Sequence, residues 1–269
     1  MQSFKCGFKR ILVGLWGTFT ISGCFAAPIK LELYTQDFPP LQVELQGKPE
    51  GYVVKFVEAV VADASKTLPM EIKDVHFAPW KRAIRTTQRQ SNVLFFSVSR
   101  TKQRENQYAW IGEVSPYDIA IYRHKSGPNV ALNRLSDLQG YCVASQPESA
   151  FDGLLKRNGK IDVIPVSYGK EAIKLLHANR VDFAPLVQAS YHYRLEQYGF
   201  SPSDFVEVMK VEELSKELWL VTGKKTSPEV IKALTESFQR LKARGVLEEL
   251  IEEYHPDSEE MQRYRKHMV

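Results

Sequence analysis

The 269-residue sequence has little cysteine, and two of its three cysteines, Cys6 and Cys24, lie near the N-terminus. Cys142 is the third, and its apolar neighbours predict a buried strand residue. If Cys6 and Cys24 are removed with the N-terminal signal segment that is predicted below, Cys142 remains as a single thiol and cannot form an internal disulfide. The sequence also has no CxxC pair and no cysteine–histidine spacing typical of a metal site. A disulfide scaffold is therefore excluded, and we predict neither a bound metal nor a cofactor.

A large excess of charge is also missing. The formal net charge is +4, and three of the basic residues, Lys5, Lys9 and Arg10, lie in the first 26 residues, which contain no acid. Without that segment the net charge falls from +4 to +1. Such a small charge indicates no polyanionic partner, so we expect no binding to nucleic acid.

The apolar segment from Ile11 to Thr20 is too short to span a bilayer as a helix. It follows a basic start and precedes small residues that end at Ala26, which is the order of a secretory signal. We predict that residues 1–26 are removed as a signal peptide and that the protein is exported to the periplasm. A less favoured alternative is cleavage before Cys24, where residues 21–24 are similar to a lipoprotein box and a lipid anchor would follow.

The remaining sequence alternates between strand-like and helix-like segments. With 43% hydrophobic residues it can bury a sizeable core, as one large or two small domains. Predicted strands are 29–35, 70–77, 93–96, 117–123, 141–145, 161–166, 181–187 and 217–222. Predicted helices are 52–68, 78–89, 135–140, 148–157, 167–178 and 227–245, with Ser167 as one helix cap. This alternation predicts an α/β fold with mainly parallel sheets and right-handed crossovers.

The stretch from Phe95 to Pro116 has the residues of a ligand clamp. Ser97 and Ser99 follow an apolar strand, and Arg104 comes five residues after Ser99. Open α/β sheets bind ligands outside the carboxyl ends of their strands. A hydroxyl and a planar guanidinium at this spacing can converge on one carboxylate. The alternative interpretation is a turn that carries a solvated arginine.

The order of elements and four short stretches resemble the bacterial extracellular solute-binding proteins of family 3. The four stretches are 36–40, 99–104, 110–116 and 241–250. The resemblance implies the type II periplasmic-binding-protein fold, in which two Rossmann-like lobes are joined by two hinge strands and hold ligand between them. It places lobe 1 at 27–119 and 216–269, including a C-terminal tail, and lobe 2 at 120–215.

The resemblance also implies ligand-binding residues in lobe 1. Ser97 and Ser99 correspond to positions that hold a ligand's head group, and Arg104 corresponds to the carboxylate-binding arginine. Phe77 corresponds to an aromatic that flanks the ligand, and Trp80 is similar to a variant of that arrangement. Core packing is the alternative role for Trp80.

Five further residues complete the predicted ligand-binding set. Asp37 and Phe38 lie in the loop after the first strand, where Phe38 could instead brace the loop. In lobe 2, Gln146 and Ser149 lie at a helix start, where free amide donors favour an anion. Gln188 follows the last strand of that lobe.

One position departs from the family pattern. Relatives that bind amino acids have an acid near the end of the strand that matches 181–187, and the corresponding residue here is Val187. Because a buried ammonium without a carboxylate is costly, we expect ordinary α-amino acids to bind weakly unless Glu148 or Asp37 supplies the acid. The expected ligand is a small polar solute that bears a carboxylate, either an amino acid or a related compound.

The resemblance implies a monomeric binding protein that does no chemistry and presents its solute to an inner-membrane ABC permease. One alternative is a dehydratase of the same fold, which would need an acid or base such as Glu148, Asp37 or His76. Another is a module that reports ligand to a membrane sensor.

Overall fold

The structure, a computed structural model, describes residues 27–254. The predicted signal peptide, the alternative lipid anchor at Cys24 and the tail after Tyr254 lie outside the described residues. The strands are β1 Ile29–Thr35, β2 Val43–Leu45, β3 Lys48–Glu50, β4 Met70–Phe77, β5 Val93–Ser99, β6 Tyr108–Tyr117, β7 Ile119–His124, β8 Cys142–Ser145, β9 Asp162–Pro165, β10 Ala184–Val187, β11 Phe205–Lys210 and β12 Lys216–Gly223. The helices are α1 Tyr52–Ala64, α2 Trp80–Arg89, α3 Ala150–Arg157, α4 Gly169–His177, α5 Gln188–Tyr198, α6 Pro228–Ala243 and α7 Val246–Glu253, with 3-10 turns at Leu135–Leu138 and Pro202–Asp204.

The larger sheet has five strands in the order β4-β1-β5-β12-β6. β1 pairs in parallel with β4 and β5, as predicted, but β12 pairs antiparallel with both β5 and β6. The prediction of a mainly parallel sheet is therefore wrong for β12 and β6.

The periodicity of β6 is interrupted by Gly112 and Pro116, and Pro116 is tolerated because β6 is an edge strand. A Cβ at Gly112 would lie 2.1 Å from the ring of Phe238, so α6 packs here only against glycine.

The smaller sheet has β7 at its centre, with β10 and β11 antiparallel on either side. β8 and β9 form a parallel pair, and a bridge from Val143 to Phe183 links them to the β10 segment. The predicted strand at 181–187 begins as a regular strand only at Ala184. Ser167 is not the cap of α4, because Tyr168 occupies that position and the Ser167 amide donates to Glu171.

Helix α5 was not among the predicted elements, and its buried face explains why. The buried residues of α5 include Ser190 and Arg194, so the inward side is partly polar and produces no apolar stripe. Both side chains bond to the loop after β1, as described below.

The buried residues form separate cores on the two sheets. The core of the larger sheet packs against α1, α6 and α7, and there the rings of Phe56 and Phe238 meet edge to face at 5.2 Å. The cores of the smaller sheet lie around β7, α3, α4 and β10. We call β1–β6, β12, α1, α2, α6 and α7 the large-sheet half, and β7–β11 with α3–α5 the small-sheet half. The chain passes between the halves at Asp118 and again through 211–215.

Within residues 27–254, none of the helices combines the length and apolar character needed to cross a membrane.

Asp63 links α1 to α6 and gives a testable pH dependence. Its carboxylate accepts hydrogen bonds from Lys66, Ser237 and Arg240, and the bonds from Lys66 and Arg240 lower the pKa of Asp63 well below its ordinary value. An acid with a depressed folded pKa stabilises the fold above its unfolded pKa, near 3.9, and loses that effect as the pH falls through the folded pKa.

We expect Asp63→Asn to lower the free energy of unfolding by about 1 kcal/mol at pH 7, because its cationic partners are partly solvated. The difference from the parent should shrink below about pH 4. Urea unfolding at several pH values measures it. Glu236→Gln is the control, since Glu236 pairs only at the surface with Lys232 at 3.8 Å. A constant difference between Asp63→Asn and the parent down to pH 2 would contradict this assignment.

Candidate functional site

A cavity of about 150 Å³ lies between the two halves, with lining residues from both. This volume has room for on the order of ten waters, which suits a small organic solute. The large-sheet half lines it from the loop after β1, from α2 and from the end of β5, while the small-sheet half contributes the starts of α3 and α4, the end of β10 and one face of α5.

Eight of the ten predicted ligand-binding residues line this cavity. They are Asp37, Phe38, Trp80, Ser97, Ser99, Arg104, Gln146 and Ser149. Phe77 is not part of the lining. It is the last residue of β4, an edge strand, and the residue that lines the cavity at this level is its partner on β1, Thr35. Gln188 is not part of the lining either, because its side chain donates to Glu207 at 3.0 Å and the cavity face of α5 begins at Ser190.

Arg104 is buried at the boundary between the halves, with 7% of its surface exposed. Its guanidinium donates to the Ser99 carbonyl at 3.2 Å and, across the boundary, to the Glu148 carbonyl at 2.7 Å. Burial lowers the pKa of Arg104, although an arginine remains charged. Among residues 27–254 no carboxylate lies within ion-pair distance of this side chain. A buried cation without a counter-ion favours the binding of an anion.

Two residues at this boundary have left-handed backbone conformations. Ser97 has φ of 62° and Glu148 has φ of 65°, and each such non-glycine position costs about 1 to 3 kcal/mol. The Ser97 hydroxyl donates to Gln42 at 2.8 Å. The Glu148 carbonyl accepts from both Arg104 and the Trp80 indole, which donates at 3.3 Å. Backbone strain of this kind is concentrated where a surrounding structure fixes a site.

The Glu148 carboxylate lies outside the cavity lining, where it pairs with Lys81 at 3.3 Å. His76 also lies outside it, paired with Glu32. Of the three acids or bases considered above, Asp37 alone lines the cavity.

Asp37 joins the halves through an ion network. Lys170 at the start of α4 and Arg194 on α5 both donate to its Oδ2, at 2.7 and 3.2 Å, and Arg194 also donates to its backbone carbonyl. Arg194 is buried, with 6% of its surface exposed. Ser190 donates to the Pro39 carbonyl at 2.7 Å, so α5 binds this loop at two points. Sequence reasoning missed this contact, although polar residues at i and i+4 of a helix do indicate one polar face.

Three polar atoms of the cavity residues are buried without a hydrogen-bond partner in the structure: Thr35 Oγ1, Asp37 Oδ1 and Ser145 Oγ. Each unsatisfied buried polar atom costs about 1 to 3 kcal/mol, which a ligand with matching groups can recover. Burial raises the pKa of Tyr117, another lining residue, to about 12, so its phenol is neutral. The cavity therefore offers a buried guanidinium without an acidic partner, a carboxylate shared by two cations, and several hydroxyls.

The remaining predicted residues have structural partners as well. Gln146 donates to Gln36 across the boundary at 2.8 Å, and the Ser149 hydroxyl accepts from the Asp152 amide as the cap of α3. Trp80 packs on Phe95 with ring centroids 4.9 Å apart. The Arg104 guanidinium lies over the Trp80 ring, 5.5 Å from the ring centroid. Trp80 is thus both a packing residue and a wall of the cavity.

Comparison with known proteins bears on the family and the fold. Residues 33–257 match the family described as bacterial extracellular solute-binding proteins, family 3. No curated protein matches the chain. Similar solved structures include an ancestral arginine-binding protein bound to arginine, with a TM-score of 0.70 and 19% identity over 84% of this chain and 97% of that one.

Two other solved structures are similar in fold. The arginine-, lysine-, histidine-binding protein ArtJ from the thermophilic bacterium Geobacillus stearothermophilus has a TM-score of 0.70 and 16% identity, over 87% of this chain and 98% of that one. A histidine kinase sensor domain with similarity to periplasmic binding proteins has a TM-score of 0.69 and 19% identity, over 84% of this chain and 96% of that one. At these identities the likeness shows the fold alone.

Proposed function

Because the chain belongs to the bacterial extracellular solute-binding proteins of family 3, we propose that it is an exported, monomeric protein that captures a small polar solute in the cavity between its halves. The solute bears a carboxylate and is an amino acid or a related compound. The protein presents it unchanged to an inner-membrane ABC permease. Residues 1–26 act as the signal for export and are absent from the mature protein.

The observation that carries this proposal is the burial of Arg104 in the cavity lining without an acidic partner. A ligand carboxylate supplies the missing charge and can accept two parallel bonds from the planar guanidinium. A donor on the same ligand, an amine or a hydroxyl, can then satisfy the unpartnered Oδ1 of Asp37. Asp37 thus replaces the acid that Val187 does not supply.

We propose that the lobes divide at 119/120 and 215/216, next to the two crossings between the halves at Asp118 and 211–215, which act as the hinges. Ligand contacts from both halves exist together only when the lobes are closed, so binding favours the closed state. The hydrogen bonds from Lys170 to Asp37 and from Arg104 to the Glu148 carbonyl cross the boundary and belong to the closed state.

Binding without chemistry agrees with the polar groups of the cavity. Asp37, the one candidate acid that lines it, is already engaged by two cations, Lys170 and Arg194, which hold the halves together through it. A sensory role is the second candidate function, because a histidine kinase sensor domain has the same fold. It differs from transport in its membrane partner and not in the cavity.

The direct experiment is a ligand screen on protein purified from the periplasm, with intact mass used to confirm the loss of residues 1–26. Thermal shift over amino acids, small peptides, polyamines and organic acids should select carboxylate-bearing compounds, since a ligand that binds only the native state raises its stability. Calorimetry then measures affinity. Selection of polyamines alone, or of no carboxylate at millimolar concentration, would contradict the proposal.

A further inference from the structure

A cluster of two histidines and an aspartate lies in the small-sheet half, apart from the cavity residues. His124 is the last residue of β7, His177 the last of α4, and Asp204 the last of the 3-10 turn before β11. One potential ligand atom from each residue lies within 4.8 Å of the others. All three side chains are partly exposed, so an ion from solvent can reach them.

We propose that this cluster binds a divalent transition-metal ion, with zinc as the best match. Two imidazoles and a carboxylate are the nitrogen and oxygen ligands that zinc accepts, and a solvent molecule completes four-coordination. Bound zinc holds its ligands at about 2.0 to 2.2 Å, so the three atoms need to move closer together by only about 1.5 Å.

The histidine rings are already held in place by neighbours. Nδ1 of His124 lies 2.7 Å from the Ser126 hydroxyl, which itself donates to Asn179 at 3.2 Å. The Ser126 backbone amide also donates to Nδ1, at 3.4 Å. Both polar groups of Ser126 therefore engage Nδ1, and Nε2 is the ring nitrogen outside these contacts. A hydrogen bond at the other ring nitrogen is the usual way in which proteins orient a histidine ligand.

His177 is fixed by packing. Its ring stacks on Phe200, with centroids 3.9 Å apart and planes 6° from parallel. Its Nε2 lies 3.9 Å from Oδ2 of Asp204. Because the three residues end three different elements, a bound ion would join β7, α4 and the start of β11.

Lys125 is the competitor for this site. Its ammonium donates to Oδ1 of Asp204 at 2.7 Å, and the side chain is 58% exposed. Zinc at Oδ2 faces repulsion from this charge until Lys125 turns into solvent. Removing the lysine charge should therefore strengthen metal binding, whereas a purely structural ion pair predicts no such gain.

The test is zinc titration of the full chain and its variants by calorimetry. We expect His177→Gln and Asp204→Asn each to weaken zinc binding by at least about tenfold. Lys125→Gln should strengthen it by about fivefold, the effect of removing one nearby like charge in water. His192→Gln is the matched control, because His192 is exposed and outside the cluster.

Cobalt provides a second readout that does not depend on stability. A visible absorption band of tetrahedral cobalt should appear with the parent and be lost in His177→Gln, while circular dichroism shows that the variant is folded. Zinc binding by His177→Gln as tight as by the parent, or no zinc binding by the parent below about 100 µM, would overturn the proposal.

Discussion

Replacement of Arg104 by alanine is expected to weaken binding of the selected carboxylate ligand by about 2 to 5 kcal/mol, or roughly 30-fold to several-thousand-fold. The guanidinium is buried and lacks an acidic partner in the structure, so in the complex it is the group that pairs with the ligand's charge. Arg104→Lys should recover only part of the loss, because an ammonium keeps the charge but not the planar fork. Calorimetry with the three proteins measures these differences.

Arg100→Ala is the matched control for this experiment. Arg100 lies four residues away, pairs with Glu105 and stacks on Trp219 at 4.5 Å, and it is not part of the cavity lining. Its replacement should change stability through lost packing and leave ligand affinity within about twofold. If Arg104→Ala binds the ligand as tightly as the parent, Arg104 is not part of the ligand-binding site. Failure of that variant to fold without ligand would make Arg104 a structural residue instead.

Asp37→Asn is expected to reduce ligand affinity by about 2 kcal/mol or more, which is about 30-fold. The neutral amide no longer compensates the buried charge of Arg194, and it offers no anionic oxygen to a ligand amine. Because Lys170 and Arg194 belong to the other half, the lost attraction acts on the closed state. The lobes should therefore remain more open when the ligand is added.

Small-angle scattering with and without ligand measures this change in closure. Asp63→Asn is the control, since Asp63 also accepts from cationic side chains but only within the large-sheet half. It should lower stability and leave closure unchanged. If Asp37→Asn closes on the ligand with the parent's affinity, the ion network does not contribute to binding.

The place of the predicted clamp residues in the cavity lining could be predicted from the sequence because these residues follow one strand in order. Ser97, Ser99 and Arg104 are neighbours along the chain, and the carboxyl end of a strand is the expected ligand side of an α/β sheet. What the sequence does not contain is the backbone conformation at Ser97, where φ is 62°. That conformation is enforced by tertiary packing, which local propensity does not report.

The part of the site on α5 could not be predicted in the same way. A helix is recognised by an apolar stripe, and in α5 the buried face mixes the polar Ser190 and Arg194 with Tyr193 and Leu195. Its partners, Asp37 and Pro39, lie more than 150 positions earlier in the chain. Long-range pairs between polar groups leave no periodic signal, so Asp37 was predicted as a site residue without the network that holds it.

The same limit applies to the sheet order. Strands β1, β4 and β5 follow the simple alternation of strand and helix, and the parallel arrangement predicted for them is confirmed. β12 enters between β5 and β6 from a distant part of the chain, and its direction follows from the second crossing between the halves. Its apolar pattern identified a strand but gave no information on its neighbours.

A crystal structure of the protein with its selected ligand tests the central claim most directly. The account predicts the ligand in the cavity between the halves, with its carboxylate within hydrogen-bond distance of the Arg104 guanidinium and a donor group near Asp37 Oδ1. A ligand bound elsewhere, or a ligand in the cavity whose carboxylate does not contact Arg104, would contradict it.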